Sequence, residues 1–290
     1  MKLSIVTINR NNAEGLRKTI ESVLVQTYRD IEYIIIDGAS TDNSVEVIKS
    51  SALQAESLNV KWISEPDKGI YDAMNKGVKK ATGDYVWILN SGDCAGASNV
   101  VERMAAVLEQ GKNEEVRGKK GIDILLGNIV RVLGNKKEYA PLPVKRIMDE
   151  IPRPMDISML TFYTGTVPQD AAFVRRELFE KYGYFDEKLK ICADWKLYLN
   201  MIALGGVQPM HVNVDVVLFD MTGISNANNE LRLAERRAYL EEILPESVIK
   251  DYDTYTFPIR QYQRLKKYHL WGIVYFVERV LFKLEKWHVI

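Results

Sequence analysis

The sequence predicts an α/β fold in which helices flank a mainly parallel sheet. β-prone apolar runs alternate with helix-periodic segments through the first 89 residues. Most of these runs are continuously apolar, which is typical of strands buried on both faces of a parallel sheet. With 47% apolar and 27% charged residues, the 290-residue chain has the composition of an ordinary globular protein, neither disordered nor membrane-spanning.

Four strands are predicted in the first third of the chain, over residues 3–8, 31–36, 60–63 and 85–89. The segments between these strands have helical periodicity. Apolar residues recur at helical spacing from Leu16 to Thr27, Asp42 is suited to cap the second helix, and the third helix opens after Gly69. The order β-α-β-α-β-α-β is that of a parallel sheet with covering helices.

The middle of the chain is predicted to extend this sheet. Further strands are expected over residues 122–126, 129–133, 138–140, 171–174 and 212–219, the last of them at a sheet edge. Helices are expected over residues 100–108, 176–182 and 193–204. Residues 111–121 are predicted as a surface loop, and residues 141–168, which lack a period, as a partly ordered segment near a site.

The composition becomes helical and charged after residue 225, so two regions are expected. These are a domain over residues 1–225 and a helical extension over residues 226–290. Within the extension, leucines mark a first helix around Leu240, a short second helix opens at Pro245, and a long third helix covers residues 259–287.

The charge distribution argues against a nucleic-acid-binding protein. Lysine and arginine balance aspartate and glutamate over the whole chain, whereas nucleic-acid-binding domains usually carry a basic excess. The balance is not local, because residues 258–290 hold seven basic and two acidic residues. We therefore expect no nucleic-acid partner, and the basic carboxy terminus needs its own explanation.

Several features favour a cytoplasmic location. No uncharged run approaches the roughly 20 residues of a spanning helix, and Met1 leads directly into a strand, so no signal peptide is expected. The two cysteines, Cys94 and Cys192, fit a reducing compartment better than a disulfide framework. Both adjoin candidate site residues, so a functional thiol is the alternative to a small buried one.

Acidic residues follow three of the predicted strands. Asp37 and Asp93 end or follow the second and fourth strands, and Asp67 follows the third. Ligands of open α/β sheets bind beyond the carboxyl ends of the strands, so these acids are expected to face one crevice. Asp93, preceded by Gly92, suits a hard divalent ion that carries phosphates. An Asp that caps the following helix explains the same stretch equally well.

Four segments, in this order and spacing, resemble family 2 glycosyltransferases: Ser4–Asn11, Ile36–Asp42, Ser64–Gly77 and Thr82–Tyr85. Later segments are similar to the family's remaining motifs: Gln169–Phe179, Gly183–Glu187 and Ala193–Leu199. The resemblance spans roughly residues 3–225. It implies the GT-A fold, a nucleotide-sugar donor, a divalent Mg²⁺ or Mn²⁺ ion, and inversion of the anomeric centre.

The resemblance also implies residue roles. Asp93 matches the last acid of the family's metal-binding motif and Asp194 matches the catalytic base, which an inverting transfer needs to take the acceptor proton. The Asp37 carboxylate is expected to accept a hydrogen bond from a uracil N–H. Together, the residues expected to bind the nucleotide sugar are Thr7, Asn9, Asp37, Asp67, Lys68, Asn90 and Gly92. Asp194 is equally suited to cap a helix, a role that is compatible with catalysis.

The chain departs from the family pattern at three places. The family often has an additional acid before the last one, whereas this chain has Asn90-Ser91-Gly92-Asp93. It often has His-Gln where this chain has Gln169-Asp170, and Glu-Asp where this chain has Ala193-Asp194. The metal acid and the base are both retained, so an active enzyme is expected. The alternative is a degenerate member that binds nucleotide as a scaffold. A nucleotidyltransferase of the same fold class would carry a glycine-rich basic loop near residues 7–12, and this chain has none.

The expected reaction transfers a sugar, with UDP as the expected carrier, to a hydroxyl on a growing surface glycan or lipid-linked acceptor. The basic carboxy terminus has two interpretations: it lies on an anionic membrane surface, or it packs on its own domain or on a second subunit as a homodimer contact. Both rest on the same interleaved apolar and basic residues: Tyr262, Arg264, Leu265, Lys266, Lys267, Trp271, Phe276, Arg279, Val280, Lys283, Leu284, Lys286 and Trp287.

Overall fold

A computed structural model of the chain describes residues 1–54, 58–113, 115–116, 119–133, 136–140, 151–220, 228–267 and 271–286. The chain forms two compact units, Met1–Arg236 and Arg237–Ile290. The domain boundary predicted after residue 225 falls within residues 221–227, which lie outside the described residues, and it stays a prediction.

The first third of the chain alternates strands and helices as predicted. Its elements are β1 Leu3–Asn9, α1 Ala13–Leu24, β2 Ile31–Asp37, α2 Ser44–Gln54, β3 Asn59–Ser64, α3 Ile70–Lys80 and β4 Tyr85–Ile88. Residues of β1, β2 and β4 are buried along their whole length. This matches their continuous apolar sequence, because a strand covered on both faces has no solvent side.

The rest of the first unit adds short strands around two long ones. The elements are β5 Cys94–Ala95, α4 Val100–Gln110, a 3₁₀ turn Gly111–Asn113, β6 Glu115–Val116, β7 Lys119–Lys120, β8 Ile124–Leu133, β9 Lys136–Tyr139, β10 Arg153–Pro154, α5 Met159–Thr164, β11 Ala172–Arg175, α6 Glu177–Tyr182, α7 Ala193–Tyr198 with a π-helical continuation Leu199–Leu204, and β12 Pro209–Asp220. Helices α8 Asn229–Ile243, α9 Glu246–Lys267 and α10 Trp271–Lys286 complete the chain.

Ten of the described strands form one sheet in the order β10-β12-β8-β11-β4-β1-β2-β3, with β5 beside β12 and β9 beside β8. The half built from β1 to β4 is parallel. Strand β11 then inserts antiparallel between β4 and β8, while β8 and β12 pair parallel. The predicted α/β class with helices around a central sheet is confirmed, and its parallel character is confined to the first four strands and the β8–β12 pair.

Helix α3 lies unusually close to β1. A Cβ atom on Gly77 would come within 2.3 Å of Val6 Cγ1. The apolar stripe of α3 includes Ala73, Met74 and Val78, all of which are buried. The close approach brings the start of α3 beside the carboxyl ends of the strands, where the candidate site lies.

Several predictions about single elements differ from the structure. Residues 111–121, predicted as a loop, include the short strands β6 and β7, which pair antiparallel. Residues 122–126 and 129–133 belong largely to one strand, β8, which pairs continuously with β12 over a bulge. The predicted edge strand is β12, whose outer side is covered by β5 and β10. Helix α9 has 22 residues and continues through Pro258, where the sequence suggested a short helix. Pairing with segments distant in sequence decides the cases of β8 and β12.

Some predictions lie partly outside the described residues. These are the turn at Gly134-Asn135, residues 141–150 of the irregular segment, and residues 268–270 and 287 of the last predicted helix. On either side of that turn, β8 and β9 pair antiparallel, as the predicted hairpin requires. Among the helices that the structure describes, none is both long enough and apolar enough to cross a membrane.

Candidate active site

The carboxyl ends of β1, β2 and β3 finish level with each other. Asn9 lies opposite Asp37, and Asp37 lies opposite Ser64. Beyond β4 the main chain still follows β1, since the Ser91 N–H donates to the Ile8 carbonyl oxygen at 3.1 Å. Parallel pairing in register leaves no stagger between the strands, so the side chains that follow them gather at one edge of the sheet.

A cavity of about 500 Å³ opens at this edge. Five of the residues predicted for the site line it: Asn9, Asp67, Asn90, Asp93 and Asp194. The other four predicted residues, Thr7, Asp37, Lys68 and Gly92, are not among its lining residues. Tyr71 and Asp170 also line the cavity, although the sequence assigned no role to either of them.

Asp37 is fully buried behind Asn9. Its carboxylate accepts hydrogen bonds from Asn9 Nδ2 at 2.9 Å, from the Ser40 amide and hydroxyl, and from Ser64 Oγ at 2.7 Å. Burial alone would raise the pKa of Asp37, but the hydrogen bonds from Ser40, Ser64 and Asn9 hold it below its usual value. Asp37 is therefore an anion whose donors come from the protein itself.

The side chain of Asn9 is oriented by this arrangement. Because Nδ2 donates to Asp37, the amide oxygen Oδ1 is directed elsewhere, and it is buried with no hydrogen-bond partner among the described residues. A buried acceptor without a donor is costly unless a ligand supplies one. Since Asn9 lines the cavity, its oxygen is suited to accept a hydrogen bond from a bound molecule.

Thr7 lies in the core and not in the cavity. It is fully buried, its hydroxyl donates to the Leu89 carbonyl oxygen at 2.8 Å, and it accepts from the Tyr33 hydroxyl at 3.0 Å. The nucleotide role predicted for Thr7 stays a prediction, and in this structure its hydroxyl is hydrogen-bonded within the core. The sequence could not reveal this, because a strand buried on both faces has no alternation of apolar and polar residues that marks which face a side chain takes.

Asp67 faces the cavity beside a cation. Its carboxylate lies 3.6 Å from Arg10 Nη1 and accepts from the Gly69 amide at 3.1 Å. Asp67 packs against Gly38, where an added Cβ would lie 2.1 Å from Asp67 Oδ2. Lys68 is exposed, and its amide donates to Asp72 Oδ2 at 2.9 Å. The expected role of Lys68 near a diphosphate stays a prediction.

The loop that carries Asp93 is fixed by α1. The hydroxyl of Thr19 donates to the Asp93 carbonyl oxygen at 2.7 Å and accepts from the Gly92 amide at 3.0 Å. Gly92 has a φ of +107°, a conformation that strains any residue with a Cβ. An acid at position 92 would incur that strain, so this loop turns by means of its glycine. Thr19, within a helix stripe, carried no sequence signal for this role.

Asn90 and Asp170 meet on the wall of the cavity. Asn90 Nδ2 donates to Asp170 Oδ1 at 3.3 Å, and Asn90 Oδ1 is buried without a partner in the part of the chain that the structure describes. Asp170 lies just before β11, and its main-chain oxygen accepts from Trp87 Nε1 of β4 at 2.7 Å. Burial, and then the negative charge of Asp194, raise the pKa of Asp170 to about 7.

Asp194 lines the same cavity from the first turn of α7. Its Oδ1 accepts from the Tyr71 hydroxyl of α3 at 3.2 Å. Protein surrounds the carboxylate on the sides away from the cavity, and this burial raises its pKa above the usual value for Asp. The Trp195 amide, the charge of Arg236 and the Tyr71 hydroxyl each oppose that increase. A carboxylate with a raised pKa beside an open cavity is suited to take a proton.

The cavity residues fit a hard divalent ion. Asp93 supplies a carboxylate, and the unpaired Asn90 Oδ1 supplies a neutral oxygen nearby in the chain. The described residues include no group of three or more His, Cys, Asp or Glu side chains arranged to hold a metal by themselves. Mg²⁺ usually takes one or two protein carboxylates and completes its coordination with phosphates and water, so this donor set is adequate.

The chain resembles known glycosyltransferases over most of its length. A model of the family described as Glycosyl transferase family 2 matches residues 4–183. An uncharacterized glycosyltransferase of Mycobacterium tuberculosis is 32% identical over 228 residues, which are 77% of each protein. A PGL/p-HBAD biosynthesis glycosyltransferase of Mycobacterium bovis is 25% identical over 226 residues, covering 77% of this chain and 78% of that protein.

Solved structures share the fold at low sequence identity. A crystal structure of S. aureus TarS in complex with UDP-GlcNAc superimposes with a TM-score of 0.62 and 18% identity, covering 87% of this chain and 70% of that one. The mannosyltransferase PcManGT from Pyrobaculum calidifontis, in complex with GDP-Man and Mn²⁺, gives a TM-score of 0.55 and 17% identity, covering 82% of this chain and 61% of that one.

Proposed function

The chain belongs to glycosyl transferase family 2, and from that premise we propose that it transfers a sugar from a UDP-sugar to an acceptor hydroxyl with inversion. The observation that carries the proposal is that Asp93 and Asp194 line the same cavity. One acid follows β4 and serves the diphosphate side, and the other begins α7 and serves the acceptor side.

On the donor side, Asn9 and Asp67 are the side chains in place to bind the nucleotide. The unpaired Asn9 Oδ1 accepts the ring N–H of the base, and Asp37 fixes the Asn9 amide in that orientation. The direct contact first expected between Asp37 and uracil stays a prediction. Guanine also presents a ring N–H, so UDP- and GDP-sugars both belong in a test of donor specificity.

A divalent ion, when bound, offsets the negative charge that develops on the diphosphate as the glycosidic bond breaks. Asp93 would hold the ion, with Asn90 as a neutral oxygen ligand. The structure of PcManGT, which shares the fold and was solved in complex with GDP-Man and Mn²⁺, supports the use of a divalent ion. The chain's own contribution is to fix the Asp93 loop through Thr19 and Gly92.

On the acceptor side, Asp194 acts as the general base. It takes the proton of the acceptor hydroxyl as that oxygen attacks the anomeric carbon from the face opposite the diphosphate. The bond from the anomeric carbon to the phosphate oxygen breaks, and the nucleoside diphosphate leaves with the electron pair. Tyr71 holds Asp194 Oδ1 by a hydrogen bond and so orients the carboxylate.

We place the acceptor among growing surface glycans and lipid-linked glycans. The relative named for PGL/p-HBAD biosynthesis supports a biosynthetic transferase. A degenerate, nucleotide-binding scaffold is the second candidate, because the chain lacks the additional acids common in the family. A panel of UDP- and GDP-sugars with Mn²⁺, scored by nucleoside diphosphate release, tests the two: an enzyme turns over at least one donor, whereas a scaffold binds UDP and releases nothing.

Replacing Asp93 with alanine should reduce kcat/KM by about 100-fold or more, since charge stabilisation at the leaving group is lost. The same change should remove the effect of Mn²⁺ on UDP affinity, measured by calorimetry with and without the ion. Asp84→Ala is the matched control, because Asp84 is an exposed Asp at the other end of β4. An Asp93→Ala protein that still binds UDP more tightly with Mn²⁺ would contradict the assigned metal role.

We further propose that the carboxy-terminal unit contacts an anionic membrane surface. On α10, Tyr275 and Phe282 are spaced seven residues apart on one face and are 56% and 68% exposed. Arg279 lies between them, with its guanidinium 5.9 Å from the Tyr275 ring centroid. Exposed aromatic rings interleaved with cations are typical of helices that lie in a lipid interface.

Serine at both Tyr275 and Phe282 should lower the fraction of protein that sediments with phosphatidylglycerol vesicles, because the apolar contribution to binding is lost. Tyr255→Ser on α9 removes a similarly exposed ring and should leave sedimentation unchanged. If the double variant instead converts a dimer into a monomer, and vesicle binding stays constant, the helix is a subunit contact.

A further inference from the structure

Glu235 on α8 reaches back to the turn that precedes α7. Its Oε1 accepts from the Lys190 amide at 2.7 Å, and its Oε2 accepts from the Ile191 and Cys192 amides, both at 3.0 Å. Three consecutive amides that converge on one carboxylate form an anion-binding concavity. Asp194 follows two residues after this turn, so the carboxylate of Glu235 fixes the main chain from which the base projects.

Arg236, the next residue of α8, fixes the other neighbour of the base. Its guanidinium lies over the indole of Trp195, 5.2 Å from the ring centroid, and its Nη1 donates to the Gly165 carbonyl oxygen at 3.1 Å. The indole is also held from its edge, since Trp195 Nε1 donates to the Phe162 carbonyl oxygen at 3.0 Å. A cation over an indole face is a favourable contact that restricts both side chains.

Arg236 also lowers the pKa of Asp194 through its charge. Burial raises the pKa of Asp194 most, and the Trp195 amide, the charge of Arg236 and the Tyr71 hydroxyl then lower it. Arg236 is thus the cation that opposes protonation of the carboxylate. Its Nε is buried and has no hydrogen-bond partner among the residues that the structure describes.

The other titratable groups that face Asp194 are two phenols, a thiol and a carboxyl group. Burial raises the pKa values of Tyr71 and Tyr198, so both stay neutral, and it raises the pKa of the Cys192 thiol to about 11. Cys192 is therefore an inert thiol near neutral pH. Only Asp170, whose pKa burial and the charge of Asp194 raise to about 7, changes charge in the working range.

We propose that Glu235 and Arg236 are positioning residues for Asp194, Glu235 by binding the turn before α7 and Arg236 by holding Trp195 and placing a cation near the carboxylate. Both residues lie beyond residues 4–183, which the family model matches, and within the unit Met1–Arg236. The inference rests on the proposed role of Asp194 as the base. It means that the start of α8 completes the active site.

Replacing Glu235 with alanine should lower kcat by about 10- to 100-fold, because a misplaced base loses the geometry of attack. KM for the donor should change little, since the side chains proposed to bind the nucleotide, Asn9 and Asp67, make no hydrogen bond to this turn in the described residues. Glu235→Gln keeps one amide acceptor and should recover part of the loss. Glu242→Ala, an exposed glutamate on the same helix, is the control and should match wild type.

Replacing Arg236 with glutamine should move the acid limb of the pH profile of kcat/KM to higher pH. The direction follows because the pKa of Asp194 rises without the cation. A larger fraction of Asp194 is then protonated and inactive at a given acidic pH. Arg236→Lys keeps the charge and should keep the wild-type limb. Arg237→Gln removes the same charge one residue further along α8 and should leave the limb unmoved.

An Asp170→Asn background removes the second carboxyl group that titrates nearby, and the shift caused by Arg236→Gln should persist in it. Titration of ¹³C-labelled Asp carboxyl groups by NMR, with Asp194 assigned from Asp194→Asn, measures the same shift without any turnover. If no donor is transferred at all, the proposed function fails, while the NMR shift still decides the inference. An unshifted Asp194 in Arg236→Gln, or wild-type kcat in Glu235→Ala, would overturn it.

Discussion

Replacing Asp194 with asparagine is expected to lower kcat for glycosyl transfer by about 10²- to 10⁴-fold, the usual contribution of a general base. Asparagine has nearly the same shape and can still accept the hydrogen bond from the Tyr71 hydroxyl, so the fold and the cavity should be retained. It cannot take the acceptor proton. KM for the donor sugar should stay near the wild-type value, because the role proposed for Asp194 is to take the acceptor proton and not to bind the donor.

Steady-state transfer with the best donor, followed by nucleoside diphosphate release, measures this effect. Asp186→Asn is the matched control. Asp186 pairs at 2.7 Å with Lys196, which lies in α7 as Asp194 does, and Asp186 is not among the cavity-lining residues. The control should lie within about twofold of wild type, because Asp186 does not line the cavity. Full activity in Asp194→Asn would assign the base to another group, with Asp170 the nearest carboxyl candidate.

Replacing Glu32 with alanine is expected to reduce the free energy of unfolding by about 2–5 kcal/mol, since each buried donor that loses its acceptor costs about 1–3 kcal/mol. The Glu32 side chain is fully buried in β2. Its carboxylate accepts hydrogen bonds from side chains and amides of three separate segments: Lys2, Ser4, Lys61, Thr82 and Gly83. Without it, the buried Ser4 hydroxyl and Gly83 amide lose their acceptor.

The stability that Glu32 contributes should depend on pH. Burial raises its pKa, but the hydrogen bonds from Ser4, Thr82 and Lys61 outweigh burial and lower the pKa from 4.5 to about 2. A lowered pKa in the folded state stabilises the protein above the unfolded value. The contribution is therefore complete above about pH 5 and is lost as the pH falls toward 2.

Urea unfolding of wild type, Glu32→Ala and Glu32→Gln at several pH values checks both statements. Glutamine keeps an acceptor for Ser4 or Gly83, so a smaller loss is expected. Glu46→Ala, at an exposed position of α2, should change stability by less than about 0.5 kcal/mol. A Glu32→Ala protein whose free energy of unfolding lies within about 1 kcal/mol of wild type would contradict the prediction. So would a stability difference between wild type and Glu32→Gln that does not shrink on acidification.

The Glu32 contacts also give a physical reason for the Thr82–Tyr85 motif, which the sequence analysis only matched to the family. Thr82 and Gly83 precede β4 and both donate to Glu32. A Cβ on Gly83 would lie 2.8 Å from the Ser4 main-chain nitrogen, so glycine is needed for the close approach. The segment therefore anchors the amino end of β4, and the chemistry lies at its carboxyl end.

The sequence by itself determined the α/β class, the first four strands and the edge at which the acids gather. These depend on local periodicity and on a general property of parallel strands, whose carboxyl ends meet at one edge when they pair in register. Asn9, Asp67 and Asp93 therefore reach one cavity as predicted. Asp194 joins them from a segment that only the family resemblance had connected to the site.

Only the tertiary structure decided which side of each element faces the cavity and what supports it. Thr7 lies in the core, Asn9 presents an unpaired oxygen, and Glu235 binds the turn before Asp194 from 43 to 45 positions further along the chain. Such contacts join residues with no fixed spacing, so no periodic pattern records them. Local sequence sets the geometry of a strand or helix, whereas the hydrogen-bond partner of a side chain depends on how distant segments pack.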